Sequence, residues 1–134
     1  MDLLSGTSFK QLESAIQASV ARHQTISNNL ANIETPYFKR SDVEFESLLQ
    51  EQLNETTLKG NRTNSKHFYI GPSYNVPNYQ VIQDESTIMT TDANNVDLEV
   101  EAAKQAENQL RYYTYVNQVN HHISMIRTAI DARR

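Results

Sequence analysis

The chain has four histidines and sixteen carboxylates from which a metal site or an acid–base pair could be built. His121 and His122 are adjacent, so on a helix they point about 100° apart and do not share one metal ion. His23 falls on the seam of a helical pattern, where a packed imidazole is the expected role. His67 opens an extended segment and has no partner at a matching spacing. The carboxylates are spread along helical stretches, and no spacing brings two of them into one cleft. The only glycines are Gly6, Gly60 and Gly71, so there is no glycine-rich phosphate loop. Cysteine is absent, which removes disulfides, thiol catalysis and thiolate ligation together. No catalytic, cofactor-binding or metal-ligating residue is assigned, and the expected function is not enzymatic.

Composition narrows the class further. The 134 residues are one domain's worth of chain, but apolar types make up only 38% of them, below the usual share of a globular domain. A net charge of −4, with both signs interspersed, leaves no footprint for nucleic acid and no basic face for an anionic membrane. No apolar run approaches the roughly 20 residues that span a bilayer. The start, MDLLSGTSFKQ, lacks the basic and apolar regions of a cleavable signal peptide. The lack of cysteine also suits work outside the reducing cytosol.

Two long helices must carry whatever the chain does. Over residues 8–32, Phe9, Leu12, Ile16, Ser19, His23, Ile26, Leu30 and Ile33 recur in steps of 3 and 4, with alanines between and no Gly or Pro. From residue 94 onward, Leu98, Ala102, Gln105, Gln109, Tyr112, Val116, Val119, Ile123, Ile126 and Ile130 repeat the pattern. Asn94 or Asn95 can cap that helix, and Asp97, Glu99 and Glu101 suit the positive end of its dipole. Its stripe is glutamine-rich early and apolar late, so its last half is expected to pack most strongly. Each stripe is too narrow for a globular core, and the two helices read as coiled-coil partners.

The middle differs. Ser41-Asp42-Val43-Glu44 matches a capping box, predicting a short helix with Phe45, Leu48, Leu49 and Leu53 on one face. A polar loop follows, carrying two chance-level glycosylation triplets at Asn54 and Asn61. Then comes extended chain with HFYIG and Tyr79-Gln80-Val81-Ile82, expected as irregular extended structure or a small hairpin. At ANIETPYFKR, Pro36 disfavours helix at Thr35, so the first helix ends there, with Asn32 as a left-handed or carbonyl-capping residue. Tyr37 and Phe38 are expected to fold back on that helix. By spacing alone the stretch is a corner between helices. The fold expected is mainly α in one domain over 1–134: an N-terminal helix (1–35), a short helix plus loop or extended segment (36–93), and a C-terminal helix (94–134).

Asn28-Asn29-Leu30-Ala31-Asn32-Ile33-Glu34-Thr35-Pro36-Tyr37-Phe38-Lys39 resembles the signature N-N-x-A-N-x-x-T-P-G-[YF]-K of bacterial flagellar rod and hook proteins. Asp92-Ala93-Asn94-Asn95-Val96-Asp97-Leu98-Glu99 and Glu107-Asn108-Gln109-Leu110-Arg111-Tyr112 resemble the start of the C-terminal helix in proximal rod members. Nearly the whole chain takes part, least over residues 54–66, and the large inserted middle domain of hook members is missing. The matching motif residues are Asn28, Asn29, Ala31, Asn32, Thr35, Pro36, Phe38 and Lys39. Tyr37 and Ala93 stand where the family usually has glycine; if either backbone needs a positive φ, the β-carbon costs energy.

The resemblance implies a structural subunit of the periplasmic rod, exported unfolded by the flagellar type III apparatus without signal cleavage. It implies self-assembly with other flagellar rod proteins, contact with the protein joining rod to membrane ring and with the export gate, and no cofactor. The assembly seam would then be Leu12, Ile16, Ile26 and Leu30 with Leu98, Tyr112, Val116, Val119, Ile123, Ile126 and Ile130, while polar Ser19, Gln105 and Gln109 set register. Two weakly cored helices offset little chain entropy alone, so order is expected to come with assembly. The alternative from another class is a soluble helical adaptor or export chaperone binding a single partner.

Overall fold

A computed structural model describes residues 7–54, 76–85 and 93–132. In chain order they form α1 (Thr7–Ala31), β1 (Ser41–Glu44), α2 (Glu46–Asn54), β2 (Gln80–Gln83) and α3 (Leu98–Asp131). The mainly α architecture with a long helix at each end, a short helix and a small β element agrees with the sequence. Polar loop residues 55–66, the HFYIG segment, Arg133 and Arg134 lie outside the described residues.

The two long helices run antiparallel. Asn29 near the end of α1 meets Glu101 near the start of α3, Ser19 meets Asn108, and Tyr115 reaches Ala15 and Ala18. At 1.5 Å per residue α1 is about 37 Å long and α3 about 51 Å, so α3 extends past Thr7. The small side chains of Ala15 and Ala18 let Phe45 press onto α1, and Leu49 and Tyr115 close this core from either side. Among the described residues no buried side chain is larger than Phe45, so the hydrophobic contribution is modest.

The middle of the chain departs from the capping-box expectation. Ser41–Glu44 is a strand, pairing antiparallel with Gln80–Gln83 in the register Ser41↔Gln83 to Glu44↔Gln80. The short helix starts only at Glu46. A partner some 40 residues away claims the segment, and a local capping pattern carries no information about that pairing. The sheet is therefore a long-range pair and not a local hairpin. Phe45 is buried as expected, Leu48 and Leu49 are half-buried, and Leu53 is exposed.

The helix caps are also reassigned. α3 is capped by Asp97, whose side chain accepts from the Glu99 and Val100 N–H groups at 2.9 and 3.3 Å. Asn94 and Asn95 turn away from this helix. Glu101 is not a dipole companion in solvent but lies buried between the helices, at 1% exposure.

The face that α3 turns to α1 is polar. Glu101 and Asn108 are its buried residues, with Lys104, Arg111 and Tyr115 half-buried along the same line. The apolar seam read from the sequence runs about one position to the side. Leu98, Tyr112, Ile123 and Ile130 are exposed there, while Val116, Val119 and Ile126 are half-buried. On α1, Ile26 is buried, Leu12, Ile16 and Leu30 are half-buried, and His23 is exposed instead of packed. Within one chain the last half of α3 is thus the less packed half, contrary to expectation, because hydrogen bonds and charge pairs hold its first half.

Both positions at which glycine is usual in the resembling family have left-handed backbone: φ is 61° at Tyr37 and 59° at Ala93. An alanine there pays a β-carbon penalty that glycine does not. Ala93→Gly is expected to stabilise the chain by about 0.5–1 kcal/mol after its entropic cost, or roughly 2–5 °C in Tm. A thermal melt followed by circular dichroism reads this directly, and a lowered midpoint would contradict it.

Candidate assembly site

The corner after α1 is held by three asparagine side chains that act as spare backbone amides. Asn29, 1% exposed, donates from Nδ2 to the Ser41 carbonyl at 2.8 Å and accepts the Ser41 N–H at 3.0 Å. The same Nδ2 donates to Glu101 Oε2 at 3.0 Å, so one side chain ties α1, β1 and α3 together. Asn94 donates from Nδ2 to the carbonyls of Asn32, Ile33 and Thr35 at 3.0, 3.0 and 2.9 Å. These carbonyls belong to the turn that follows α1, where those of Asn32 and Thr35 also accept the Thr35 and Phe38 N–H groups, so Asn94 braces that corner from the far end of the chain. Asn95 accepts the Arg40 N–H at 2.7 Å and donates to the Asp84 carbonyl at 2.8 Å, extending the β1–β2 ladder by a side chain.

The other motif residues wind the corner itself. Asn32 donates from Nδ2 to the Asn28 carbonyl at 2.8 Å and to Asn28 Oδ1 at 2.7 Å, the carbonyl-capping role expected of it. The Thr35 hydroxyl donates to Asn32 Oδ1 at 3.3 Å, and the Phe38 N–H to the Thr35 carbonyl at 3.3 Å. Phe38 is half-buried, the Lys39 carbonyl accepts from Gln83 Nε2 at 3.4 Å, and Ala31 and Pro36 face solvent. Tyr37 does not fold back; it is 79% exposed.

Below the corner, charges alternate. Arg40 donates from Nε and Nη2 to Asp84 Oδ2 at 3.1 and 3.0 Å, and its Nη1 stands 3.9 Å from Glu101 Oε1. Lys104 Nζ lies 3.9 Å from the same Glu101 oxygen and 2.6 Å from Asp42. Glu101 is therefore a buried carboxylate with Asn29 hydrogen-bonded to one oxygen and two cations 3.9 Å from the other, which accepts no hydrogen bond, so the nearby positive charge offsets its burial. A second group joins the helices to α2. Arg22 donates to the Val43 carbonyl and to both oxygens of Glu46, and Arg111 bridges Glu46 and Glu107. The cleft among these groups, about 220 Å³, holds three bases and three acids and so offers no net charge to an ionic ligand. Among the described residues no three His, Asp or Glu side chains are placed to hold a metal ion.

Two of these carboxylates titrate low. Burial raises the Asp42 carboxyl, but the Lys104 hydrogen bond, the Val43 N–H and the charges of Lys104 and Arg22 outweigh it, leaving it below 3.8. Burial likewise raises Glu46, and the Arg22 hydrogen bond, its own backbone N–H and the Arg22 and Arg111 charges bring it below 4.5. A depressed native value means that the unfolded chain binds more protons in this window, so stability rises with pH there. The contribution is whole above the unfolded values and is lost as pH falls through the native ones. Asp42→Asn should lower stability at pH 7, and its deficit against the parent should shrink as pH falls through the lowered native value of Asp42. Urea titrations at pH 7 and at a series of acidic pH values check this, and a deficit that does not change with pH would contradict it.

On the opposite flank, Ser19, Val20, His23, Gln105, Asn108, Gln109, Tyr112 and Tyr113 line a groove of about 340 Å³ between α1 and α3. The apolar stripes of both helices border this side. Ser19, Gln105 and Gln109, read in the sequence as polar members of the seam, lie on this groove. The sequence reading missed Arg40, Asp42, Asp84, Glu101 and Asn108, because a buried charge or amide has the same spelling as a solvated one. The one signal available was the density of asparagine at both ends of the fold.

No family model matches the chain. Curated relatives do. It is 31% identical over 130 residues to the flagellar basal body rod protein FlgB of Bacillus subtilis, covering 97% of both chains. Against the protein of the same name from Borreliella burgdorferi it is 34% identical over 110 residues, 78% of this chain and 82% of the relative. The protein of that name from Cereibacter sphaeroides is 31% identical over 109 residues, 81% of this chain and 82% of the relative.

Proposed function

This chain belongs to the FlgB family of flagellar basal body rod proteins, and on that premise we propose that it is a subunit of the proximal rod that transmits torque by packing, without chemistry. The observation that carries this reading is the division of labour on α3. Its inward face is polar and hydrogen-bonds to α1 and the corner through Glu101 and Asn108, while its apolar stripe from Leu98 to Ile130 lies mostly outside the fold. Such a stripe on a long, internally braced helix is built to be covered by other subunits. A contact repeated by a rotation that does not close yields a helical tube. The exported state is accommodated by the same economy: a small core and no disulfide leave little to undo before passage through a type III channel. Neighbours would be further copies, other rod proteins and the junction with the membrane ring, in the periplasmic part of the basal body.

Deleting the gene should leave cells non-motile with basal bodies that stop before the rod, and the intact gene should restore both. Purified basal bodies should contain the chain. Complete rods in the deletion strain would contradict the proposal, as would a chain found only as a stable soluble complex with one cytoplasmic partner.

A further inference from the structure

Tyr37 has a conformation that its own chain does not reward. Its backbone is left-handed at φ 61°, a state that is strained for any residue with a β-carbon, and its ring is 79% exposed. Strain held at an exposed aromatic points to a contact made outside the chain. The same chain carries a receptor of fitting chemistry. The groove between α1 and α3 is walled by Val20 and by Tyr112 and Tyr113, whose rings meet edge to face at 6.3 Å and 64°. Its polar residues, His23, Gln105 and Gln109, can exchange hydrogen bonds with a phenol, and a seated tyrosine buries about 150–250 Å².

We propose that Tyr37 of one copy seats in the α1–α3 groove of the next copy. The inference rests on the rod reading and adds to it a specific joint between copies. Knob and groove lie more than two helical turns apart along α1, so the ring of one chain does not fill its own groove. The contact is heterologous: each copy offers one knob and one groove at different places, and the series stays open, as a shaft requires. The exposed ring and the strained corner that presents it are then accounted for by one contact.

The absence of cysteine makes the test clean. Glu34→Cys and Ala106→Cys, both at exposed positions near the knob and the groove, leave every tyrosine and every groove-lining side chain in place. Basal bodies from cells making this double variant as their sole copy are treated with a short bis-maleimide. A ladder through trimers and beyond is expected, whereas each single variant should give no ladder. Adding Tyr37→Gly should cut the ladder roughly tenfold, the scale of losing a hot-spot side chain, while raising the Tm of the purified chain; Tyr37→Phe should keep most of the ladder. Monomers only, in basal bodies that contain the chain, would overturn the joint and leave the rod reading intact. So would cross-links solely to a different protein, or a Tyr37→Gly ladder equal to the parent's. A chain missing from unmodified basal bodies would overturn the rod reading and the joint with it.

Discussion

Asn29→Leu should remove most of the chain's folding stability, although the side chains are close in size. The substitution removes two hydrogen bonds to Ser41 and one to Glu101, all at a site where Asn29 itself is 1% exposed. The Ser41 N–H and carbonyl and the Glu101 carboxylate would then be short of partners at a buried junction. Leaving such groups unpaired costs about 1–3 kcal/mol each for neutral groups and more for a charge. A loss of about 3–5 kcal/mol follows, against a total that for a domain with so small a core sits near the low end of about 5–15 kcal/mol. Asn28→Ala is the control, because Asn28 is exposed and its side chain only accepts from Asn32. It should cost less than about 1 kcal/mol. Urea denaturation followed by circular dichroism separates the two, and an Asn29→Leu deficit below about 1 kcal/mol would mean that the asparagine clamp does not hold the corner.

Ile123→Asp should do the reverse: spare the folded chain and abolish motility. Ile123 is 42% exposed on α3, outside the polar face that meets α1. A carboxylate there costs the single chain about 0.5 kcal/mol or less. Covered by a neighbouring subunit, the same carboxylate is desolvated without a partner, and every repeat of the interface carries that penalty. Swimming in soft agar and the amount of chain in the export fraction are the paired readouts. Exported but non-motile is the expected outcome; motile cells would show that the α3 stripe is not an assembly surface. Leu30→Asp should also abolish motility, but Leu30 is half-buried, so its stability must be measured alongside.

Both long helices were legible because their 3–4 spacing survives without Gly or Pro, and the corner because Pro36 ends α1 whatever surrounds it. The pairing face of α3 was not legible, since period analysis follows apolar residues and the face that meets α1 is made of Glu101, Lys104, Asn108 and Arg111. Most of the apolar stripe lies outside the face that meets α1 within one chain, with Leu98, Tyr112, Ile123 and Ile130 exposed. Ser41–Glu44 imitates a helix start locally and is decided by residues 80–83. Asn94 looked like a cap for the helix it precedes and instead braces the turn that follows α1, some 60 residues earlier. The left-handed backbone at Tyr37 and Ala93 was accessible only through the glycines that the resembling family places there.

The most direct measurement is a cryo-electron microscopy reconstruction of the basal body from this organism, at a resolution that traces side chains. The account predicts antiparallel α1–α3 pairs of this chain in the proximal rod, the Asn29–Ser41–Glu101 clamp intact, and Leu98, Tyr112, Ile123 and Ile130 buried against neighbouring subunits. A rod without this chain, or one in which that stripe faces solvent, would contradict it.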